Sequence, residues 1–278
     1  MDGSSLIFRA FFGNKGAQVA PDGRSVNAVR GTLDSLARLV DGRRPRSIAI
    51  ATDEDWRPAF RVEAIPSYKA HRVAEPVPPA LEPQLPLVME VLAAIGLNVI
   101  GKPGFEAEDV IASLASRLEP PIEVYSGDRD LFAIIRDPHR VVLYPEKTGL
   151  AVVDEAEVER RYGIPGRSYA DFAILRGDPS DGLPGVPGVG AKTAAGLVRR
   201  HRTMDGILAG LDWSEETRDY IARARRVVRP VEDLDLPDPR PGLPASPADP
   251  AELERLDREL GIGASTGRLL GALRGAGA

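Results

Sequence analysis

Short apolar runs that end near a carboxylate and alternate with amphipathic stretches constrain the fold of this chain more than any other feature. Arg46-Ser47-Ile48-Ala49-Ile50-Ala51-Thr52-Asp53 reads as a buried strand closed by Asp53. Ile122-Glu123-Val124-Tyr125 reads the same way, and Ser126-Gly127 breaks it so that Asp128 and Asp130 sit at its C-terminal edge. Asn98-Val99-Ile100 and Val141-Val142-Leu143-Tyr144 are further strands. Helical spacing fills the intervals: Val29, Leu33, Leu36 and Val40 form one stripe that Asp41-Gly42 closes, Leu87 to Leu97 forms another helix, and Val110, Ile111, Leu114 and Leu118 run until Pro120-Pro121. Glu155 to Tyr162 is a short charged helix. Strands alternating with helices predict an α/β fold, a mainly parallel sheet covered on both faces by helices. In such a sheet ligands bind at the C-terminal edge of the strands.

Beyond about Pro165 no strand pattern remains, which divides the chain into an α/β domain, 1–165, and a helical region, 166–278. The helical region reads as Tyr169 to Arg176, Lys192 to Arg202, Glu215 to Val228, a Pro-rich linker from Pro230 to Pro250, Ala251 to Leu260, and a short Gly/Ala-rich tail. At 278 residues and 43% hydrophobic the chain can bury a full core. The absence of cysteine excludes disulfides, zinc–thiolate sites and thiol nucleophiles. No apolar run reaches the length of a membrane span and no signal pattern opens the sequence, so no membrane association and a cytoplasmic location are expected.

Glu106, Glu108 and Asp109 open a helix, where its dipole favours carboxylates by about 0.3–1 kcal/mol. That accounts for the helix start but not for Asp128 and Asp130 at the same sheet edge, because crowded carboxylates need compensating charge. An all-oxygen donor set suits Mg²⁺ or Mn²⁺ rather than zinc. The residues alone leave open either a metal site or an acidic surface without function. Glu106 and Glu108 stand about 200° apart around a regular helix. They can converge on one metal only if Glu106 lies in the non-helical entry, and Asp109 would then face another ion.

The formal net charge of −5 argues mildly against nucleic-acid binding, but the positive charge is clustered. Arg57, Phe60, Arg61, Tyr68, Lys69, His71 and Arg72 interleave basic and stacking side chains, a pattern suited to single-stranded nucleic acid and equally found in exposed basic loops. Pro76, Pro78, Pro79, Pro83 and Pro86 then keep the next segment extended. Asp178 and Asp181 precede Gly185-Val186-Pro187-Gly188-Val189-Gly190-Ala191-Lys192-Thr193. Ala191 between Gly190 and Lys192 breaks the spacing of a P-loop. The alternative is a Gly-rich turn between two helices whose backbone N–H groups face a phosphate, with Lys192, Arg199, Arg200 and Arg202 following. His71, His139 and His201 have no acid or Ser partner at catalytic spacing and read as surface residues.

In this order DGSSLIFRAFF, the Asp53 strand end, FRVEAIPSYKAHR, GFEAEDV, SGDRDL and GDPSDGLPGVPGVGAKTA resemble the bacterial flap endonuclease family, also known as the 5′-nuclease domain of DNA polymerase I. The resemblance spans roughly residues 2 to 200, with a weaker helical tail to about 270. It implies a PIN-like nuclease domain with a helical arch at about 65–86 and a C-terminal helix–hairpin–helix region. It also implies a first divalent cation near Asp2, Asp53, Glu106 and Glu108, and a second among Asp109, Asp128, Asp130, Asp178 and Asp181. Arg9, Arg61, Lys69 and Arg72 match residues that grip the scissile phosphate, and Tyr68 the position that stacks on a base. Gly185, Val186, Gly188, Gly190, Lys192 and Thr193, with Arg199 beyond them, match the element that holds the duplex backbone with a monovalent cation such as K⁺.

The implied activity is two-metal hydrolysis of DNA at a 5′ flap, 5′ overhang or nick in replication and repair, by a free-standing monomer with any polymerase supplied in trans. Three departures carry expectations of their own. Only Met1 precedes Asp2, so the family's first strand is missing and the start is expected to lie upstream or the first metal ligand to be poorly placed. Glu108 stands where many bacterial relatives have Asp, and Gly182 replaces the usual Asn, which is expected to loosen the loop carrying Asp181. The alternatives are a catalytically silent flap-binding relative and a PIN-like RNA nuclease.

Overall fold

The computed structural model describes residues 1–13, 18–74, 77–147 and 149–277. In chain order the elements begin α1 (Gly3–Gly13), α2 (Asn27–Arg43), β1 (Ala49–Ala51), α3 (Ala59–Ala64) and α4 (His71–Ala74). They continue with α5 (Gln84–Ile95), β2 (Asn98–Ile100), α6 (Ala107–Arg117), β3 (Ile122–Tyr125), β4 (Arg140–Glu146), β5 (Gly149–Val153) and α7 (Glu155–Tyr162). After these come α8 (Tyr169–Arg176), α9 (Ala191–His201), α10 (Met204–Gly210), α11 (Glu215–Val228), α12 (Pro250–Leu260) and α13 (Gly263–Gly277). Among the described residues no helix is long and apolar enough to cross a membrane.

Two compact units share the chain. The first takes Met1–Asp53, Val77–Gly101 and Leu236–Ala278; the second takes Glu54–Pro76 and Lys102–Asp235. In the first, β1 and β2 pair in parallel with Ile50 opposite Val99. The apolar stripe of α2 is buried as its spacing requires, with Val29, Leu33, Leu36 and Val40 each at most 1% exposed. At the position of the family's first strand a single parallel bridge joins Asp2 to Ala51, supported by Ala51 N–H donating to Met1 O at 2.8 Å. Leu6 to Phe12 continue as helix because Asp2 caps α1, its carboxylate accepting from Ser5 N–H at 2.8 Å. Asp2 thus pairs with the end of β1.

The Gly/Ala-rich tail is also helix rather than irregular chain. In α13, Leu269, Ala272 and Leu273 are buried, and Gly267, Gly271 and Gly275 have no neighbour where a Cβ would stand. Arg268 ties α13 to Asp34 of α2 at 2.8 Å. Glycine lowers helix propensity by about 1 kcal/mol, and packing of the other face overrides it.

In the second unit β3 and β4 pair in parallel, and β5 returns antiparallel to β4. Neither β5 nor α10 is apparent in the sequence. Strand β5 is an edge strand with Leu150 and Val152 exposed, so burial does not mark it; α10 is a short helix started by Thr203, whose side chain accepts from Gly206 N–H at 3.1 Å. The Pro-rich stretch after α11 forms no regular element, as expected. Its backbone is anchored on both sides: Val231 N–H donates to Asp109, and Arg240 N–H donates to Asn98.

Candidate metal and nucleic-acid site

The site is built around the first turn of α6 in the second unit. Glu106 is the N-cap, with φ −88° and ψ 162°, so it stands in the extended entry to the helix as convergence with Glu108 requires. Asp109 returns to accept from Glu106 N–H at 3.3 Å and completes a capping box. The three carboxylates are 3%, 8% and 0% exposed. A helix dipole alone cannot hold that much buried negative charge, and a guanidinium supplies the balance. Arg61, fully buried on α3, reaches Glu108 at 2.8 Å and Asp109 at 2.7 Å and also pairs with Glu106. Lys69 Nζ pairs with Glu106 as well, and Tyr68 OH donates to it at 2.6 Å.

Three residues matched to DNA-contacting roles stand against these carboxylates. Arg61 and Lys69, matched to phosphate-gripping positions, are turned inward onto carboxylates. Tyr68, matched to a base-stacking position, is 2% exposed, with the Lys69 ammonium over its ring at 5.0 Å. Burial alone would lower the Lys69 pKa, but Glu108, Glu106, Asp181 and Asp128 raise it, so its charge is secure.

A second group of carboxylates follows β3. Asp128 N–H donates to Ser126 Oγ at 2.9 Å, and Asp130 N–H donates to Asp128 Oδ1 at 2.9 Å, which folds the chain back directly after the strand. Burial, then Asp128, Asp181 and Glu108, push the Asp130 carboxyl far above the usual range, and a hydrogen bond with Asp181 adds to this. Asp128 is raised by burial and then by Asp181; Glu108 is raised by burial against the opposing pull of Arg61. These acids are held in the protein at the cost of their ionisation, and a divalent cation would relieve that cost.

Among the described residues no three acids or histidines already stand arranged to hold an ion. Oxygens of Glu106 and Glu108 are turned to Arg61 and Lys69, while Asp128 is engaged by a backbone N–H. The donor chemistry of Glu108, Asp128, Asp130 and Asp181 nevertheless fits an oxygen-seeking cation such as Mg²⁺ or Mn²⁺.

Asp109 and Asp178, matched to the second cation, are each engaged by several donors of the protein. Asp109 accepts from Arg61, from Glu106 N–H and from Val231 N–H at 2.8 Å. Asp178 accepts from Ser180 N–H at 3.0 Å and from the Ser180 hydroxyl, and pairs with Arg176 at 3.1 Å and Arg129 at 3.5 Å. Arg72 has a half-exposed side chain and lies 3.7 Å from Asp181, a cation that solvent can reach. In the first unit Asp2 is 8% exposed, Asp53 accepts from the Ser4 hydroxyl, and Arg9 is exposed on α1. Residues 75 and 76 of the expected arch lie outside the described residues.

The Gly-rich turn runs from Gly185, at φ +76°, through Gly188, at φ +77°, to Gly190, the N-cap of α9. Val186 is buried beneath it, while Lys192, Thr193 and Arg199 are exposed on α9. No side chain caps α9 and its first turn holds no acid, so its N-terminus faces outward with positive polarity. Beside it a cleft of about 320 Å³ is lined by Arg161, Tyr162, Phe172, Arg176, Lys192 and Arg199. Arg161 and Arg176 went unremarked in the sequence because they come from α7 and α8 and meet α9 only through packing.

Two family models match consecutively: "5′-3′ exonuclease, N-terminal resolvase-like domain" over residues 1–163 and "5′-3′ exonuclease, C-terminal SAM fold" over residues 164–238. A 5′-3′ exonuclease of Streptomyces coelicolor is 46% identical, the alignment covering 98% of this chain and 99% of that protein. The chain belongs to the 5′-3′ exonuclease family.

A 5′-3′ exonuclease of Mycobacterium tuberculosis is 45% identical, with 98% of this chain and 96% of that protein covered. DNA polymerase I of the same organism is 39% identical across 76% of this chain but only 24% of its own length. Among solved structures, the T5 D15 protein co-crystallised with metal ions shares the fold at a TM-score of 0.60 and 14% identity, covering 100% of this chain and 98% of that one. The catalytic core of Rad2 in complex with DNA substrate does so at 0.57 and 17%, covering 98% and 90%. This 5′-3′ exonuclease therefore has a resolvase-like, PIN-like α/β part followed by a helical SAM-like part, and its Gly-rich turn lies within the latter.

Proposed function

We propose that this 5′-3′ exonuclease is a divalent-cation-dependent, structure-specific 5′ nuclease acting on DNA with a 5′ flap, 5′ overhang or nick. The observation that carries the reading is the crowding of Glu108, Asp128, Asp130 and Asp181, whose carboxylate oxygens are the donors for Mg²⁺ or Mn²⁺. When bound, such cations supply Lewis acidity at the phosphoryl oxygens and a water acidic enough to attack. Arg61 and the Asp109 cap hold the first turn of α6 in place, so Glu106 and Glu108 approach from a fixed direction. Lys69 keeps a permanent positive charge beside the carboxylates, and Arg72 is the cation a scissile phosphate can reach. Duplex phosphates are met by the hairpin from Gly185 to Thr193 and by the basic cleft beside α9. K⁺ on the hairpin carbonyls would assist there.

Asp2, Asp53 and Arg9 are assigned to the same reaction on the family resemblance. We further propose that the protein acts in the cytoplasm as a monomer, with a polymerase in trans.

The test is a labelled 5′-flap substrate at low salt with Mg²⁺ or Mn²⁺. Cleavage that disappears in folded Glu108→Gln and Asp53→Asn proteins supports the reading. An intact flap overturns it, and binding without cutting identifies a silent relative. Faster cleavage of RNA than of flap DNA would replace it with the RNA-nuclease alternative.

A further inference from the structure

The loop from Gly177 to Gly185 carries Asp178 and Asp181 and opens directly into the hairpin. Its base is pinched. A Cβ on Gly177 would stand 2.7 Å from Gly185 N, and one on Gly185 would stand 2.7 Å from Gly177 N; both residues have φ +76°. Asp178 N–H donates to Leu183 O at 3.0 Å and Leu183 N–H donates to Asp178 O at 2.9 Å, which closes the loop on itself. Beneath the base, Gly185 N–H donates to the Tyr220 hydroxyl at 3.0 Å, and that hydroxyl donates to Ile174 O at 3.1 Å. Val186 N–H donates to Leu175 O at 2.9 Å. The start of the hairpin is therefore fixed to α8 and α11.

The tip is fixed elsewhere. Ser67 Oγ donates to Gly182 O at 2.7 Å, and Lys69 N–H donates to Asp181 O at 2.9 Å. Gly182, at φ +71°, approaches so closely that a Cβ there would lie 2.0 Å from Ser67 O. Lys69 itself holds φ +47°, a conformation residues with side chains adopt only where their surroundings impose it. Gly182 was expected to loosen the loop, and it does the reverse: lacking a side chain, it lets two backbones meet.

We propose that Ser67 and Gly182 are positioning residues that lock the register between the duplex-holding hairpin and the Asp181 carboxylate, and so fix which phosphodiester is cut. The inference rests on the nuclease reading above and adds to it the device that selects the bond. One closed loop carries the carboxylate, begins the hairpin and is stitched to the segment bearing Tyr68 and Lys69. A duplex seated on the hairpin is then held at one distance from the acids.

Three variants test this: Ser67→Ala, which deletes one bond and adds no atom, Ser67→Thr, which keeps the hydroxyl, and Gly182→Ala, which introduces the clash. The readouts are the product-length distribution from a labelled 5′ flap, and Mn²⁺ affinity by electron paramagnetic resonance without DNA. For Ser67→Ala we expect products at adjacent positions with KM little changed, and Mn²⁺ binding weaker by roughly three- to tenfold, the value of about one net hydrogen bond. Ser67→Thr should restore the single product, and Gly182→Ala should exceed Ser67→Ala in both readouts. A wild-type product pattern and wild-type Mn²⁺ affinity in Ser67→Ala overturn the proposal, whether or not Gly182→Ala folds. If the wild-type protein cuts no flap, the nuclease reading fails separately. Mn²⁺ affinity then decides alone, a loss in Ser67→Ala supporting the lock and an unchanged value refuting it.

Discussion

The acids at the start of α6 and those crowded beyond β3 are all carboxylates set into the same unit, and they differ in electrostatics. Glu106, Glu108 and Asp109 share one buried guanidinium, and Glu106 has Lys69 and Tyr68 besides. Asp128, Asp130 and Asp181 mainly face one another, and their mutual repulsion raises Asp128 and Asp130 beyond what burial does. The first group is neutralised by the fold. Among the described residues the second has only Arg72, 3.7 Å from Asp181, and the more distant pull of Lys69, and would take further positive charge from a cation. A buried charge with its counter-charge built in fixes structure, whereas one without it is stored binding energy for a cation. Asp109 and Asp178 extend the contrast within single residues, since several donors of the protein already engage their oxygens.

The largest effect should come from breaking the neutralised group. Arg61→Ala leaves buried carboxylates without their cation and should cost about 3–5 kcal/mol of unfolding free energy in chemical denaturation. Added Mg²⁺ should recover part of that loss, because a divalent ion can occupy the charge that the guanidinium vacates. A loss under about 1 kcal/mol would mean that the carboxylates do not depend on Arg61.

Removing a member of the crowded group should act on chemistry instead. Asp181→Asn is expected to slow flap cleavage at least about a hundredfold, about 2.7 kcal/mol in the barrier, and to require more Mn²⁺. Its thermal stability should equal or exceed wild type, since a repulsive charge beside Asp130 is gone. Wild-type turnover together with lowered stability would reverse the assignment.

Asp109→Asn sharpens the same line from the other side. Losing a capping carboxylate that accepts from Arg61 and two backbone N–H groups should cost about 1–3 kcal/mol of stability, with turnover per folded molecule retained. A variant of normal stability that has lost hydrolysis would return Asp109 to the metal ligands.

The smallest effect belongs to the exposed cations. Replacing Lys192 and Arg199 by Ala should reduce the steepness of the log affinity against log salt plot by roughly 0.9 per lost phosphate contact, with cleavage intact at saturating enzyme. An unchanged slope would remove the α9 face from the duplex interface.

The sequence by itself determined the alternation of strands and helices to about Pro165, the helical remainder, and the clustering of acids at strand ends and at the first turn of α6. These follow from periodicity and from breakers such as Pro120-Pro121 and Ser126-Gly127, which act locally. It also indicated that Glu106 and Glu108 converge only if Glu106 stands outside the regular helix, because residues two apart on a helix point about 200° from each other. Tertiary structure alone decided how the acids divide. Which carboxylates Arg61 reaches from α3, that Val231 N–H lies against Asp109, and that Gly182 meets Ser67 all depend on segments far apart in the chain. Burial and pairing set the charge state of an acid, and both are properties of what packs around it rather than of the residue type or its spacing.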